Sequence, residues 1–573
     1  MVLEDDELLH RPFGAQQLRP LCDSLKEAAL SLDWSRHERH RHRPAPAAAA
    51  ASSSSSSAAA AAAAADAAPA ALQGSLLRLL RQLYERDTRR PFMSGPHAWL
   101  ADASRQSAVE ALALRLPPAV LDLEPADLHS LAGAAASPTN LPFGGAPFGG
   151  GGAGGLAAGV LELPETRRVI ALLQQMPFTV AFEARLRLVR RWLAQERQGL
   201  LEQQLLMHGD VAADVITVRR EHLLDDAFEE LRGASMRSTL RVQFIGLEGL
   251  EEAGVGEGVA KEFIVDVLRA GFEPSAGLFC AGDDGALFPD PAALVRVPDA
   301  LAKFEWLGAV LGKALFEGIL VELPLARAFL NQLLGRSNSL SEMPALDPTL
   351  YRSLMALRAH DGDFDALCLS FAVPQFVYGA EVPPPLRRTV ELRPGGAELA
   401  VTRANRVEYI YLVAHYRLNL QLRRPSEAFL RGLSSVVPRR WLALFSAAEL
   451  QLLLGGSDAP LDVDDWQAHA VYAGGYHPDH PVVKAFWATL RGFSPDQRAA
   501  TLKFVTSCSR PPLLGFAHLQ PAFCIYRATA EEGRLPTSAT CMNLLKLPPY
   551  DSEEMLRGKL EYAISAGAGF ELS

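Results

Sequence analysis

Paired cysteines are the first thing this chain lacks. Its six cysteines (Cys22, Cys280, Cys368, Cys508, Cys524 and Cys541) contain no Cys-x-x-Cys spacing, which argues against a zinc site or a disulfide framework and favours a reducing compartment, the cytoplasm with the nucleus also open. Positive charge is short as well. Lys and Arg number 56 against 66 Asp and Glu, a net charge of −10, so the chain carries no overall electrostatic footprint for nucleic acid. Long apolar runs are missing: the most apolar helical stretch, Trp306 to Leu323, is broken by Lys313, Glu317 and Glu322, whereas a membrane-spanning helix needs about 20 predominantly apolar residues. The acidic start, Met1 to Glu7, does not read as a secretory signal.

Complete phosphate and cation motifs are absent too. The Gly254-Val255-Gly256-Glu257-Gly258 cluster has the wrong spacing for a dinucleotide loop, and Glu251 and Glu252 beside it would repel phosphate. Gly308-x-x-x-Gly312-Lys313 is one residue short of a P-loop, with Ala314 where Ser or Thr is required. Asp361-Gly362-Asp363-Phe364-Asp365 starts like a calcium loop, but Ala366 and Ala372 stand where glycine and glutamate are needed. No cofactor and no metal are expected.

What is present is an apolar share of 49% in 573 residues, enough for sizeable cores in roughly three or four domains. Residues 1–35 hold one or two short helices, and the basic histidine-rich run Arg36 to Arg43 reads as a solvated segment. Two low-complexity linkers, about 44–72 (alanine around a block of serines) and 143–159 (glycine and alanine), cannot form a packed core and are expected to be disordered. Between and after them, Leu76 to Leu83 and then Ile170, Leu172, Leu173, Leu186, Leu188, Val189, Trp192 and Leu193 repeat with helical spacing. Leu240 to Ile245 alternates as a half-buried strand, with a helix from near Val259. Gly308 and Gly312 share one helical face, which lets another element come close. Residues 333–393 are short and loop-rich, Glu408 to Leu422 reads as a mostly buried amphipathic helix, and Gly455 to Pro460 carries hinge chemistry.

The chemistry concentrates near the C-terminus. In Leu535-Pro536-Thr537-Ser538-Ala539-Thr540-Cys541-Met542-Asn543-Leu544-Leu545-Lys546-Leu547-Pro548, a proline and four small or hydroxylated residues read as a loop, and Met542 to Leu547 as a short buried strand. Cys541 therefore falls at a presented position. Sulfur there is nucleophilic enough to take an acyl group from another thioester, although a buried structural role is commoner for cysteine in general.

This stretch, with Leu556 to Ile564 and the ending Gly567-Ala568-Gly569-Phe570-Glu571-Leu572-Ser573, resembles the C-terminus of HECT-type ubiquitin ligases, especially the branch of the ubiquitin-protein ligases numbered 3B and 3C and their plant relatives. The resemblance runs from about His222 to Ser573 through Leu240 to Gly246, Gly249 to Val255, Phe304 to Pro324 and Leu502 to Phe516, and Tyr84 to Phe92 resembles the region preceding the catalytic domain in that branch. It implies an α+β, bilobal fold: a variable N-terminal region 1–220, a mainly helical N-lobe 221–454 with a small subdomain that holds the conjugating enzyme, a hinge 455–460, and a smaller α/β C-lobe 461–573. It further implies that Cys541 accepts ubiquitin from a conjugating enzyme as a thioester and passes it to lysines of protein substrates, with no nucleic acid or membrane as partner. Thr540 is expected to support the thiolate or the tetrahedral intermediate, backbone amides near Met542 and Asn543 to donate to the oxyanion, Phe570 to dock the tail, and Glu571 to act as acid or base. Ala539 stands where many members carry histidine, so no histidine base is assigned. Cys508 and Cys524 read as structural. Two other readings stay open: an inactive scaffold that binds a conjugating enzyme, and a cysteine hydrolase using His477, His480 or His518 as base. Full-length relatives carry longer N-terminal regions, so the sequence is also compatible with a truncated product.

Overall fold

Among the described residues helices dominate, and the strands are segments of three to five residues. The computed structural model describes residues 14–31, 56–118, 121, 164–208, 215–246, 257–375, 388–528 and 534–565. The 143–159 linker, the basic histidine run, Phe570 and Glu571 lie outside the described residues. The chain divides into one unit within Met1–Glu196, Ser339–Ser341 and Arg440–Ser446, and a second within Arg197–Asn338, Glu342–Arg439 and Ala447–Ser573.

The first unit is helical, with Ala15–Leu30, Ser56–Arg89, Ala103–Ala113, Pro164–Gln175 and the start of Phe182–His208. Of the linker expected at 44–72, residues 44–55 lie outside the described residues, and from Ser56 the expectation is corrected: the backbone is helical, because alanine has the highest helix propensity and joins the amphipathic Leu76–Leu83 stretch without a break. Ile170, Leu173, Leu186, Leu188, Val189 and Trp192 are all buried, as their spacing predicts. Tyr84 stacks on Phe178 at 4.4 Å, and Trp99 meets both rings edge-on. Asp87 fixes the trio by accepting from Trp99 Nε1 at 2.7 Å and from the Phe92 and Met93 amides.

In the second unit β1 (Val215–Arg219) pairs in parallel with β2 (Arg241–Ile245). Burial of Val242, Gln243 and Phe244 in succession shows β2 more enclosed than simple alternation predicts. β3 (Phe279–Ala281) and β4 (Leu287–Pro289) form one antiparallel pair, β5 (Ala372–Pro374) and β6 (Thr389–Glu391) another. The centre is the helix Ala300–Glu317, buried at Phe304, Leu307, Val310 and Leu311, crossing the helix Gln421–Val436. Backbones touch there. A Cβ on Gly308 would overlap the Phe429 carbonyl, one on Gly432 the Glu305 carbonyl, and one on Gly312 would come within 2.9 Å of Val436 Cβ. The glycine face read from the sequence is thus a packing face. Lys313, 2% exposed, directs its ammonium to the Ser238 carbonyl at 2.8 Å and to Glu317 at 2.7 Å, a structural cation and no phosphate ligand.

The helix expected over Glu408 to Leu422 is part of a longer run: Arg406–His415, a π-helical turn Tyr416–Leu420, then Gln421–Val436. Carbonyls displaced by the wide turn are taken up by side-chain amides, Gln332 donating to Leu418 O at 2.8 Å and Asn338 to the same oxygen at 3.1 Å.

From residue 463 the chain builds a sheet in the order β7-β8-β10-β9. β7 (Val471–Ala473), β8 (Cys524–Arg527) and β10 (Leu544–Leu547) run parallel, with β9 (Thr537–Ala539) antiparallel at the edge. The helices Pro481–Gly492, Pro495–Thr506 and Glu553–Ser565 bury Phe486, Trp487, Val505 and Leu560 with Ile525, Leu545 and Leu547 of the sheet in one core. The helical majority with these small sheets makes the chain α+β, as expected.

Candidate active site

Cys541 sits in the link between β9 and β10, which differs from the loop-to-strand entry read from the sequence. Thr537–Ala539 is itself a strand, paired Ala539 to Leu544, Ser538 to Leu545 and Thr537 to Lys546. Its hydroxyl-bearing residues suit an edge strand, where cross-strand pairing and not side-chain propensity decides. Thr540, Cys541 and Met542 form a single 3₁₀ turn, and Asn543 closes the hairpin in the left-handed region at φ 47°, ψ 44°.

Asn543 organises this turn. It is fully buried, and its side-chain amide donates to the Pro521 carbonyl at 2.6 Å. Its own carbonyl accepts from the Cys524 amide at 3.0 Å, and its amide donates to Thr540 O at 3.3 Å. Asparagine tolerates positive φ better than most residues, so a left-handed turn and a buried tether are met by one side chain. That geometry corrects one expectation: the Asn543 amide points at Thr540 O, inside the turn, and is not an oxyanion donor.

Thr540 contributes its carbonyl, which also receives the Lys261 ammonium at 3.0 Å. Lys261, on the helix Glu257–Phe272, reaches Asn543 Oδ1 as well, at 3.1 Å. Reading the sequence missed Lys261 and the tethering role of the Asn543 side chain. Asn543 had a signal, an asparagine at the mouth of an apolar strand, whereas Lys261 had none, lying 279 residues from Thr540.

The segment expected to be a hinge is held from both sides. The helix Ala447–Gly455 ends as Gly456 turns to φ 90°, facing the Pro511 carbonyl, and Ser457 donates to Pro511 O at 2.9 Å. Cys508 Sγ contacts the Gly455 and Arg510 carbonyls at 3.6 Å, and burial pushes its thiol up to about 12, which keeps it protonated and unreactive. Burial also raises the Cys524 thiol. Both fit the structural role expected of them. Alongside, Glu322 accepts from the Ser509 amide and pairs with Lys503 at 3.1 Å. Burial pulls the Glu322 carboxyl upward, and the Ser509 and Lys503 donors outweigh that pull, leaving it below its ordinary value.

The histidines considered as bases are engaged elsewhere. His480 caps the helix Pro481–Gly492 and meets the His477 ring at 5.7 Å, and His518 Nδ1 lies 2.9 Å from the Leu514 carbonyl.

Residues 265–573 match the family described as HECT-domain (ubiquitin-transferase). The chain belongs to the HECT family. It is 44% identical over 418 residues to E3 ubiquitin-protein ligase UPL6 of Arabidopsis thaliana, covering 71% of this chain and 40% of that protein. It is 38% identical over 446 residues to human ubiquitin-protein ligase E3B, covering 71% and 41%, and 35% identical over 425 residues to E3 ubiquitin-protein ligase HUL5 of Saccharomyces cerevisiae, covering 71% and 45%. The chain thus spans less than half the length of these relatives, and its similarity falls on the 3B branch and its plant kin. The HECT match takes in both the Cys541 turn and part of the helix that carries Lys261.

Proposed function

We propose that this HECT chain is a ubiquitin ligase whose Cys541 accepts ubiquitin from a conjugating enzyme as a thioester and transfers it to lysines of protein substrates, within a reducing compartment. Family membership supports the reaction class. The observation that carries the choice of residue is the place of Cys541 on a tight turn whose neighbour, Asn543, is buried and tethered on both sides.

Exchange between two thiols is nearly balanced in energy, so the acceptor needs positioning more than activation. A rigid turn between paired strands supplies it. Thr540 and the Met542 amide flank the sulfur-bearing residue as candidates for stabilising the tetrahedral intermediate, and Phe570 and Glu571 are proposed to act from the tail. The N-lobe 221–454, hinge 455–460 and C-lobe 461–573 are proposed to reorient between loading and discharge.

The test is a non-reducing gel of the full chain with activating enzyme, a panel of conjugating enzymes and ubiquitin. A reductant-sensitive adduct in the wild type, absent from Cys541→Ala, is the expected result. A folded protein that forms no adduct with any conjugating enzyme overturns the reading in favour of a binding scaffold, and chain cleavage without ligation favours a hydrolase.

A further inference from the structure

The Thr540–Asn543 turn is held by groups from two separate stretches of chain. Cys524 and Pro521 hold Asn543 from the neighbouring strand and the loop before it, and Lys261 arrives from a helix almost 300 positions earlier in sequence. Among the described groups that hold the turn, Lys261 is the one that brings charge. The lysine's ammonium is aimed at Thr540 O, the carbonyl bonded directly to the Cys541 nitrogen, and it bridges to Asn543 Oδ1. A cation thus spans the two residues that bracket Cys541 and Met542.

We propose that Lys261 is a positioning residue for ubiquitin discharge: by joining Thr540 O to Asn543 Oδ1 it clamps the Cys541 turn onto the Glu257–Phe272 helix and sets a positive charge on the carbonyl bonded to the Cys541 nitrogen. This rests on Cys541 being the acceptor.

The two half-reactions respond differently to that charge. In loading, the Cys541 thiolate attacks the conjugating enzyme's thioester, a new C–S bond forms, the old one breaks, and the other thiolate leaves. Stabilising the attacking thiolate raises its population but weakens it as a nucleophile, so the two effects offset in part. In discharge, a neutral lysine amine attacks the Cys541 thioester; the C–N bond forms, the C–S bond breaks, Cys541 leaves as thiolate, and the proton released by the amine passes to that thiolate or to water. Here the thiolate is the product, and nothing offsets its stabilisation. A tenfold loss of thiolate stability therefore slows loading about threefold and discharge up to about tenfold.

The experiment uses the full chain, with Lys261→Met, Lys261→Gln and Lys261→Arg beside wild type. Loading is followed as thioester formation from a charged conjugating enzyme. Discharge is followed separately, by chasing the isolated thioester with free lysine. Thermal unfolding verifies folding of each variant, and Lys261→Gln carries the comparison if Lys261→Met does not fold. The expected result is discharge slowed about tenfold in both neutral variants with loading within about threefold, and recovery to within about threefold of wild type in Lys261→Arg. Equal losses in loading and discharge, no loss in either, or an Arg variant as slow as Met would each overturn the role of Lys261. Absence of a Cys541-dependent thioester in the wild type would instead overturn the proposed function, so the two failures are told apart.

Discussion

Asn543 offers the sharpest test of how the turn is built, because one side chain answers two separable demands. Replacing it with alanine keeps a Cβ in the left-handed region, which costs about 1 kcal/mol relative to a residue suited to it. It also removes the donor to Pro521 O, 2.6 Å away; Pro521 is exposed, so water can take the donor's place and the loss is that of an ordinary hydrogen bond, about 0.5–1.5 kcal/mol. Asn543→Ala should therefore destabilise this region by about 1.5–2.5 kcal/mol. Asn543→Gly loses the same hydrogen bond but adopts φ 47° without strain, so it should be milder by about 1 kcal/mol. Urea denaturation gives the global effect. Hydrogen exchange of the Cys524 amide, which donates to the Asn543 carbonyl, gives the local one and should accelerate more in Ala than in Gly. Equal destabilisation by the two would refute the backbone part of the reasoning, and a loss below about 0.5 kcal/mol in both would refute the tether.

Gly308→Ala should lower the melting temperature by several degrees, since its Cβ overlaps the Phe429 carbonyl and overpacking costs about 1–3 kcal/mol or more, beyond the helix propensity gained. Gly199→Ala, on an open helical position with nothing within 4 Å, should instead stabilise by a fraction of about 1 kcal/mol, and thermal unfolding of the pair tests whether close packing or propensity sets the sign. Glu322 gives a pH dependence. Its carboxyl is held below the ordinary 4.5, so its stabilising contribution is full above that value and is lost as pH falls through the lowered one. The stability gap between wild type and Glu322→Gln, measured by denaturation across pH, should be widest near neutrality and close in acid.

Much of the site is legible in the order of residues alone. A cysteine after a run of small residues and at the mouth of an apolar strand is uncommon enough to mark Cys541, and the HECT resemblance extends that reading over the whole C-terminal part of the chain. The glycines at 308 and 312 can be read as a packing face because helical geometry alone puts residues four apart on one side. Local signals fail where the deciding contact is not local. Thr537 to Ala539 looks like loop and is a strand, because β10 pairs with it, and the alanine tract looks like linker although its backbone is helical from Ser56.

By itself, the sequence determined where the candidate chemistry lies, a cysteine at the end of a run of small residues, and the apolar periodicity that selects helices and short strands through burial. Tertiary structure alone decided how the turn that carries Cys541 is held. Asn543 becomes a tether only when the Pro521 carbonyl is folded to within 2.6 Å, and Lys261 becomes part of the turn only when a sequence separation of 279 is folded away. Hydrogen bonds depend on separation in space, and the order of residues along a chain does not record it.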